Sequence, residues 1–123
     1  MNQNRCKVLL VEDEALVAMM VEGLLEDLGC EVAKNAMRLD EAVTAAQSGQ
    51  FDAALLDLNL GGTRTYAVAD ILRARGVPFA FLTGYRTDDL EPAYRDIPVL
   101  AKPFRRDGLK AILARLIDGR QKV

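Results

Sequence analysis

The sequence predicts an α/β domain in which a parallel sheet of five strands lies between two layers of helices. Four short runs of consecutive apolar residues, ending at positions 11, 56, 82 and 101, are typical of strands that are buried on both faces. Amphipathic helical patterns separate these runs, and strands that alternate with helices form right-handed crossovers in a parallel sheet. The chain has 123 residues, the size of one domain, so we expect residues 1–123 to fold as a single unit.

The first half of the chain alternates between the two kinds of element. After the first apolar run, apolar residues recur at the spacing of one helical face until Gly29 stops the helix. The next run is weaker and suits an edge strand. The expected elements, in order, are a strand at residues 8–11, a helix at 17–28, a strand at 31–36 and a helix at 39–47.

The second half follows the same alternation with one weak element. Residues 84–98 offer few apolar groups, and Pro92 limits any helix that starts there. We expect a short, frayed helix or an ordered loop in this segment, more mobile than the rest of the fold. The other expected elements are a strand at residues 53–56, a helix at 66–75, strands at 79–82 and 99–101, and a helix at 107–118.

Composition excludes several classes of function. The formal net charge is −2, which provides no large basic face for nucleic acid or anionic lipid. No apolar stretch approaches the ~20 residues of a membrane helix, and no signal-like segment begins the chain, so we expect a cytoplasmic protein. The chain has no histidine, which excludes histidine zinc sites, Ser-His-Asp triads and histidine bases. Its two cysteines, Cys6 and Cys30, are expected to remain reduced.

Polar residues follow the four strong apolar runs. Glu12 and Asp13 follow the first run, Asp57 the second, Thr83 the third and Lys102 the last. Taken singly, each has an ordinary explanation as a helix cap, a turn residue or a solvated lysine. However, the carboxyl ends of parallel strands lie along one edge of the sheet, where open α/β sheets bind their ligands. We therefore expect these five side chains to meet at one site.

The three acids of this set indicate a magnesium site. Carboxylates crowded at one edge repel one another, and a hard divalent cation relieves that repulsion. Oxygen ligands without histidine or cysteine suit Mg²⁺. We expect Asp13 and Asp57 to bind Mg²⁺ directly, together with the backbone carbonyl of Asn59, and Glu12 to act through a water on the metal.

Beside such a metal, Asp57 can serve as a nucleophile toward phosphorus. Carboxylates do so in aspartyl-phosphate enzymes, and phosphoryl transfer depends mainly on positioning and neutralisation of charge. We expect the Lys102 ammonium to pair with one phosphoryl oxygen and Mg²⁺ with a second. The Thr83 hydroxyl and neighbouring backbone N–H groups are expected to bind the third.

Four motifs of this chain are Glu12-Asp13, Asp57, Thr83-Gly84 and Lys102-Pro103-Phe104. In their order and spacing they resemble the signature of response regulator receiver domains of two-component signalling, over essentially the whole chain. The resemblance implies a flavodoxin-like, doubly wound sheet of strand order 2-1-3-4-5. It also implies a sensor histidine kinase or a histidine phosphotransfer protein as the phosphoryl donor, and a cis peptide bond before Pro103.

The chain departs from this family pattern at three places. Glu12 stands where many receivers have an aspartate, and the longer side chain alters the metal geometry. Residues 58–62 lack the usual proline and contain two glycines, which are expected to loosen the turn. Val99 occupies the position where receivers commonly carry a switching Tyr or Phe, so the usual aromatic flip cannot occur there.

Residues 78–85 and the weak fourth helix resemble the "FAT GUY" subgroup of receivers, with Leu82 in place of the alanine of that name. Such receivers often act as single-domain regulators beside histidine kinases of the general stress response or related circuits. Our hypothesis is that phosphorylation draws Thr83 inward and rearranges or orders residues 84–94. Tyr85 either shields the acyl phosphate, replaces the missing aromatic or serves only in packing.

Three other functions compete with this interpretation. A flavodoxin-like electron carrier needs a hydroxyl- and glycine-rich phosphate loop after the first strand, where this chain has Glu12-Asp13-Glu14. A receiver-like interaction module would bind partners without phosphorylation, although every residue for phosphorylation is present. A magnesium phosphatase would need a substrate pocket or a cap insertion, for which this chain is short.

The output is expected to be a contact with another protein. No nucleic-acid-binding module is visible in the sequence, so direct DNA binding is not expected. The chain is expected either to bind a target protein when phosphorylated or to drain phosphoryl groups from a shared kinase, as a monomer or a weak homodimer.

Overall fold

The computed structural model describes residues 5–84, 90–102 and 104–121. Each apolar run of the sequence becomes a strand, and a helix follows four of the strands. In chain order the elements are β1 (Cys6–Val11), α1 (Ala15–Asp27), β2 (Cys30–Ala36), α2 (Leu39–Ser48), β3 (Ala53–Asp57), β4 (Asn59–Leu60), β5 (Thr63–Arg64), α3 (Tyr66–Arg75), β6 (Phe79–Thr83), a 3-10 turn (Pro92–Tyr94), β7 (Val99–Ala101) and α4 (Arg106–Gln121).

Five parallel strands pair in the order β2-β1-β3-β6-β7. Counted along the chain within this sheet, the order is 2-1-3-4-5, which confirms the flavodoxin-like, doubly wound fold. The chain moves outward from β1 to β2 and then crosses to β3 on the other side of β1. The order of the strands therefore reverses between β1 and β3, the place where such sheets bind ligands.

Each strand of the sheet contributes to two cores, because neighbouring residues of a strand face opposite sides. On one side, Leu9 belongs to a core that includes Leu72 of α3. On the other side, Leu10 belongs to a core that includes Leu25 of α1 and Leu109 of α4. This burial on both faces explains why the runs in the sequence are continuous rather than alternating.

A two-stranded hairpin, β4–β5, follows β3 and was not predicted. Its turn consists of Gly61 and Gly62, whose φ angles of 58° and 88° are both positive. Positive φ at both central residues is the requirement of a type I′ hairpin turn, and glycine meets it without steric cost. The two glycines therefore close a two-residue hairpin turn, and the expectation that they loosen it stays a prediction.

The segment between β6 and β7 contains only one 3-10 turn, Pro92–Tyr94, within its described residues 90–98. This agrees with the expected short helix or ordered loop. Tyr85 lies outside the described residues, and so does Pro103, whose peptide bond was expected to be cis. The structure therefore tests neither of these two expectations.

Two remaining expectations concern the cysteines and the membrane. Cys6 and Cys30 lie opposite each other at the starts of β1 and β2, and neither forms a disulfide. Among the described residues, no helix has the length and apolar character to cross a membrane.

Candidate functional site

The five polar residues singled out in the sequence lie at the carboxyl edge of the sheet. Asp57 and Thr83 are the last residues of β3 and β6. Lys102 directly follows β7, and its backbone N–H donates to the Thr83 carbonyl oxygen at 2.8 Å. Glu12 and Asp13 directly follow β1, which pairs with β3. Parallel pairing thus brings residues that are distant in the chain to one end of the sheet.

Lys102 connects two acids of the site. Its Nζ lies 2.9 Å from Oε1 of Glu12 and 3.3 Å from Oδ2 of Asp57. Glu12 is fully buried, so its charge needs a partner. Burial lowers the pKa of Lys102, but its hydrogen bond to Glu12 and the negative charges of Asp57 and Glu12 outweigh that effect and raise the pKa. The ammonium is therefore held in its charged form.

Asp57 is an acid whose ionised form is disfavoured. It is 7% exposed, and burial together with the negative charge of Glu12 raises its pKa from 3.8 to about 6. The positive charge of Lys102 and the backbone N–H of Asn59, which donates to Asp57 Oδ1 at 3.2 Å, oppose this shift only in part. Additional positive charge at this position would stabilise the carboxylate.

The acids have the composition of a site for a hard cation. Oxygen atoms of Glu12, Asp13 and Asp57 all lie within 4.8 Å of one another. Asn59 adds a buried amide oxygen, Oδ1, that has no hydrogen-bond partner among the described residues. A donor set made only of oxygen, with one oxygen atom unsatisfied, fits Mg²⁺. Asp13 is exposed and therefore accessible to an ion from solvent.

A cleft of about 500 Å³ opens above these acids. Thr83 is buried and is not among the residues that line it. The contact of Thr83 with a phosphoryl group therefore stays a prediction. The residues that line the cleft are Asp13, Glu14, Asp57, Asn59, Gly61, Gly62, Gly84 and Lys102.

Three residues near the site were not identified from the sequence. The backbone N–H of Gly61 donates to Asp13 Oδ2 at 3.2 Å, which places the hairpin turn against the acids. The backbone N–H of Glu14 donates to Glu12 Oε2 at 3.0 Å. The hydroxyl of Thr65 donates to the Asp57 carbonyl oxygen at 2.7 Å. Backbone donors leave no signal in the sequence, and a threonine just before a helix resembles an ordinary helix cap.

Comparison with known protein families finds one match that spans most of the chain. Residues 8–114 match the model of the response regulator receiver domain. Phyllosphere-induced regulator PhyR of Methylorubrum extorquens is 34% identical over 119 residues, which are 90% of this chain and 43% of PhyR. Transcriptional regulatory protein PdtaR of Mycobacterium tuberculosis is 31% identical over 102 residues, which are 80% of this chain and 50% of PdtaR. The chain spans half or less of the length of these relatives.

Solved structures of similar sequence share the fold. SdrG from Sphingomonas melonis is 42% identical with a TM-score of 0.82, and the match covers 92% of this chain and 97% of that chain. The receiver domain of sensor histidine kinase PA1611 from Pseudomonas aeruginosa is 30% identical with a TM-score of 0.74, over 93% of this chain and 98% of that chain. That structure has a magnesium ion coordinated in its active-site cleft.

Proposed function

The chain belongs to the response regulator receiver domain family of two-component signalling, and on that premise we propose that Asp57 accepts a phosphoryl group from a histidine kinase or a histidine phosphotransfer protein. The observation that carries the proposal is the position of Asp57, next to Lys102 Nζ and within a cluster of three acids. This arrangement offers a nucleophile, a fixed cation and a set of metal ligands around one cleft. We propose that residues 1–123 act as one receiver domain.

Four residues would hold the metal. Asp13 and Asp57 would bind Mg²⁺ through their carboxylates, and Asn59 would bind through its backbone carbonyl. Glu12 would act through a water molecule on the metal. When bound, Mg²⁺ supplies the positive charge that offsets the carboxylates and one phosphoryl oxygen. The all-oxygen donor set, and the place of Asn59 beside Asp13 and Asp57 in the lining of the cleft, support this assignment.

Asp57 must be ionised to act as the nucleophile. One of its carboxylate oxygens forms a bond to phosphorus while the bond from phosphorus to the donor's imidazole nitrogen breaks. The donor imidazole has to come from a partner, because this chain has no histidine. The raised pKa of Asp57 falls again when positive charge is brought near, so the nucleophile is ionised in the loaded site.

Lys102 is proposed to neutralise a phosphoryl oxygen. Its ammonium stays on Glu12, 2.9 Å away, and exchanges its contact with Asp57 for one with the transferred group. Thr83 is proposed to turn its hydroxyl toward a further oxygen. Because Thr83 is buried and β6 pairs with β7 there, this turn would change the packing between these strands and the segment that connects them.

The proposed output is a phosphorylation-dependent contact with another protein, or the removal of phosphoryl groups from a shared kinase. A similar solved structure is described as the anti-anti-sigma factor PhyR from Bartonella quintana, with 30% identity over 98% of this chain and 50% of that chain. That description supports a protein, rather than a nucleic acid, as the recipient of the signal in this chain as well.

Acetyl phosphate and Mg²⁺ test the proposal without a kinase. The wild-type protein is expected to gain the mass of one phosphoryl group, and Asp57→Asn is expected to gain none. Asp27→Asn, which changes an exposed acid at the end of α1, serves as the matched control and is expected to react like the wild type. A wild type that gains no mass would leave a phosphorylation-independent interaction module as the function.

A further inference from the structure

Thr65 lies in the interior directly beneath the proposed phosphoacceptor. It is fully buried, and its Oγ1 donates to the Asp57 carbonyl oxygen at 2.7 Å, with a weaker contact to the Leu58 carbonyl oxygen at 3.5 Å. Its backbone N–H donates to the same Leu58 carbonyl at 3.1 Å. Thr65 therefore joins the end of the hairpin β4–β5 to the end of β3 through its side chain and its backbone.

The side chain of Thr65 does not serve the helix that begins beside it. Thr65 is the N-cap residue of α3, and its carbonyl oxygen accepts bonds from Val68 and Ala69, each at 3.1 Å. A threonine in this position ordinarily accepts a hydrogen bond from a backbone N–H of the first helical turn. The Thr65 side chain makes no such bond, and its hydroxyl is directed to Asp57.

The Asp57 carbonyl needs a donor from outside the sheet. Pairing between β1 and β3 ends at Val11 and Leu56, one residue before Asp57. On the other side, the Leu58 N–H donates to the Leu82 carbonyl and continues the contact with β6. The peptide of Asp57 therefore sits where β1 has already turned away to form the acidic site. A buried carbonyl without a donor is costly, and Thr65 supplies the donor.

We propose that Thr65 is a positioning residue for phosphoryl transfer to Asp57. Its hydroxyl fixes the Asp57 peptide, and it closes residues 58–64 into a loop whose turn contacts Asp13. The Asp57 carboxylate and the Asn59 carbonyl then share one rigid frame. The inference rests on the proposed function, since it assigns a role in that reaction, and Thr65 itself touches neither the phosphoryl group nor the metal.

Two pairs of variants isolate the hydroxyl. Thr65→Ser and Thr65→Ala both lose the methyl group, and they differ only in the hydroxyl. Thr65→Val keeps the shape of threonine and replaces only the hydroxyl with a methyl group. Thr63→Val makes the same change at an exposed position of β5 and is the control. If Thr65→Val does not fold, the comparison of Thr65→Ser with Thr65→Ala decides.

The readouts are the rate of Asp57 phosphorylation at saturating acetyl phosphate and Mg²⁺, and the carbonyl ¹³C chemical shift of Asp57. We expect the rate of Thr65→Ala and Thr65→Val to fall about tenfold, because small displacements of a nucleophile reduce rates strongly. Thr65→Ser is expected to stay within about twofold of the wild type, as a conservative rescue. The carbonyl shift should change in Thr65→Ala and Thr65→Val and stay constant in Thr63→Val.

The outcomes separate this inference from the proposed function. If the wild type is phosphorylated and Thr65→Ser and Thr65→Ala have equal saturated rates, the role of Thr65 is overturned and the proposed function stays intact. A wild type that is not phosphorylated would overturn both. A loss of rate in Thr65→Ala that Thr65→Ser restores would support the inference.

Discussion

Asp57 and Lys102 show two effects of burying charge at one site. Burial and the charge of Glu12 make ionisation of Asp57 unfavourable in the metal-free protein, and its pKa rises from 3.8 to about 6. Lys102 is also partly buried, yet its acidic neighbours keep it charged. The ionised carboxylate of Asp57 thus lowers the stability of the fold, and added positive charge at this position would reduce that cost.

We predict that Asp57→Asn stabilises the metal-free protein at pH 7. In the wild type, the folded state binds the Asp57 proton more tightly than the unfolded state does. Protonated Asp57 therefore contributes stability that is complete below about pH 3.8 and is lost as the pH rises through about 6. At pH 7 the ionised carboxylate therefore costs about 1–3 kcal/mol, which the amide removes. Urea unfolding with EDTA measures the change, with Glu22→Gln, an exposed acid of α1, as the control. An Asp57→Asn protein no more stable than the wild type would contradict the raised pKa.

We predict that Lys102→Met destabilises the protein by leaving Glu12 buried without its cation. Removal of one partner of a buried ion pair should cost about 2–3 kcal/mol here, because the Lys102 side chain is 19% exposed. The double variant with Glu12→Gln should recover part of the loss, since the fully buried charge of Glu12 is then removed and only Asp57 keeps a buried charge. Lys110→Met, an exposed change on α4, is the control for urea unfolding at pH 7. A Lys102→Met loss that Glu12→Gln does not reduce would argue against this ion pair.

At the scale of elements, α3 connects the site with the segment that precedes β7. Tyr66, the first residue of α3, stacks on Tyr94 with ring centroids 4.3 Å apart and planes 10° apart. The hydroxyl of Tyr66 accepts a hydrogen bond from the Glu91 N–H at 3.0 Å. The Tyr94 hydroxyl donates to Asp70 at 2.6 Å. Residues 90–94 are therefore anchored by side chains of α3.

The hydrogen bond between Tyr94 and Asp70 predicts that the stability of the fold decreases at high pH, when Tyr94 ionises. The hydrogen bond to Asp70, followed by burial, raises the pKa of Tyr94 from 10.0 to about 12. The stability from this phenol is present below about pH 10 and is lost as the pH rises through about 12. Ultraviolet titration should show one tyrosine ionising near pH 12 in the wild type, absent from Tyr94→Phe and shifted toward pH 10 in Asp70→Asn. An unchanged titration curve in Asp70→Asn would contradict the contact.

The main elements could be predicted from the sequence, and the small ones could not. The run at residues 8–11 identifies a strand because burial on both faces leaves no polar position, and the acids after it identify the site. The hairpin carries no apolar run, since β4 and β5 have two residues each. The role of Thr65 depends on where β1 leaves β3, and the stack of Tyr94 on Tyr66 depends on tertiary packing. Local sequence patterns show neither where β1 separates from β3 nor which aromatic rings pack together.

At the scale of the whole molecule, Asp57 and the segment before β7 are both in contact with α3 or its N-cap residue. Thr65 at the start of this helix holds the Asp57 peptide, and Tyr66 one residue later holds residues 90–94. Val99 pairs with Phe81, and the ring of Tyr94 packs edge-on against Phe81 with centroids 6.3 Å apart. Position 99 is a valine, and Tyr94 supplies an aromatic ring packed against Phe81 beside it.

We predict that a phosphoryl mimic changes the order of the segment before β7. Beryllofluoride with Mg²⁺ should alter the ¹⁵N relaxation of residues 90–94, because Tyr66 of α3 contacts this segment and Thr65, directly before Tyr66, holds the Asp57 peptide. Asp57→Asn, which cannot bind the mimic, is the control. An activated conformation of SdrG with BeF3 has been solved, and SdrG is 40% identical over 94% of this chain, so the mimic suits this kind of site. Equal relaxation of the segment in both states would refute the coupling.

A decisive measurement identifies the residue that carries the phosphoryl group. Borohydride reduces an aspartyl phosphate to homoserine, so peptide mapping after reaction with acetyl phosphate and reduction locates the acceptor. We expect homoserine at position 57 in the wild type with Mg²⁺, and none with EDTA or in Asp57→Asn. Modification at another residue, or modification of Asp57 to the same extent without a divalent cation, would contradict a magnesium-dependent phosphoacceptor at Asp57.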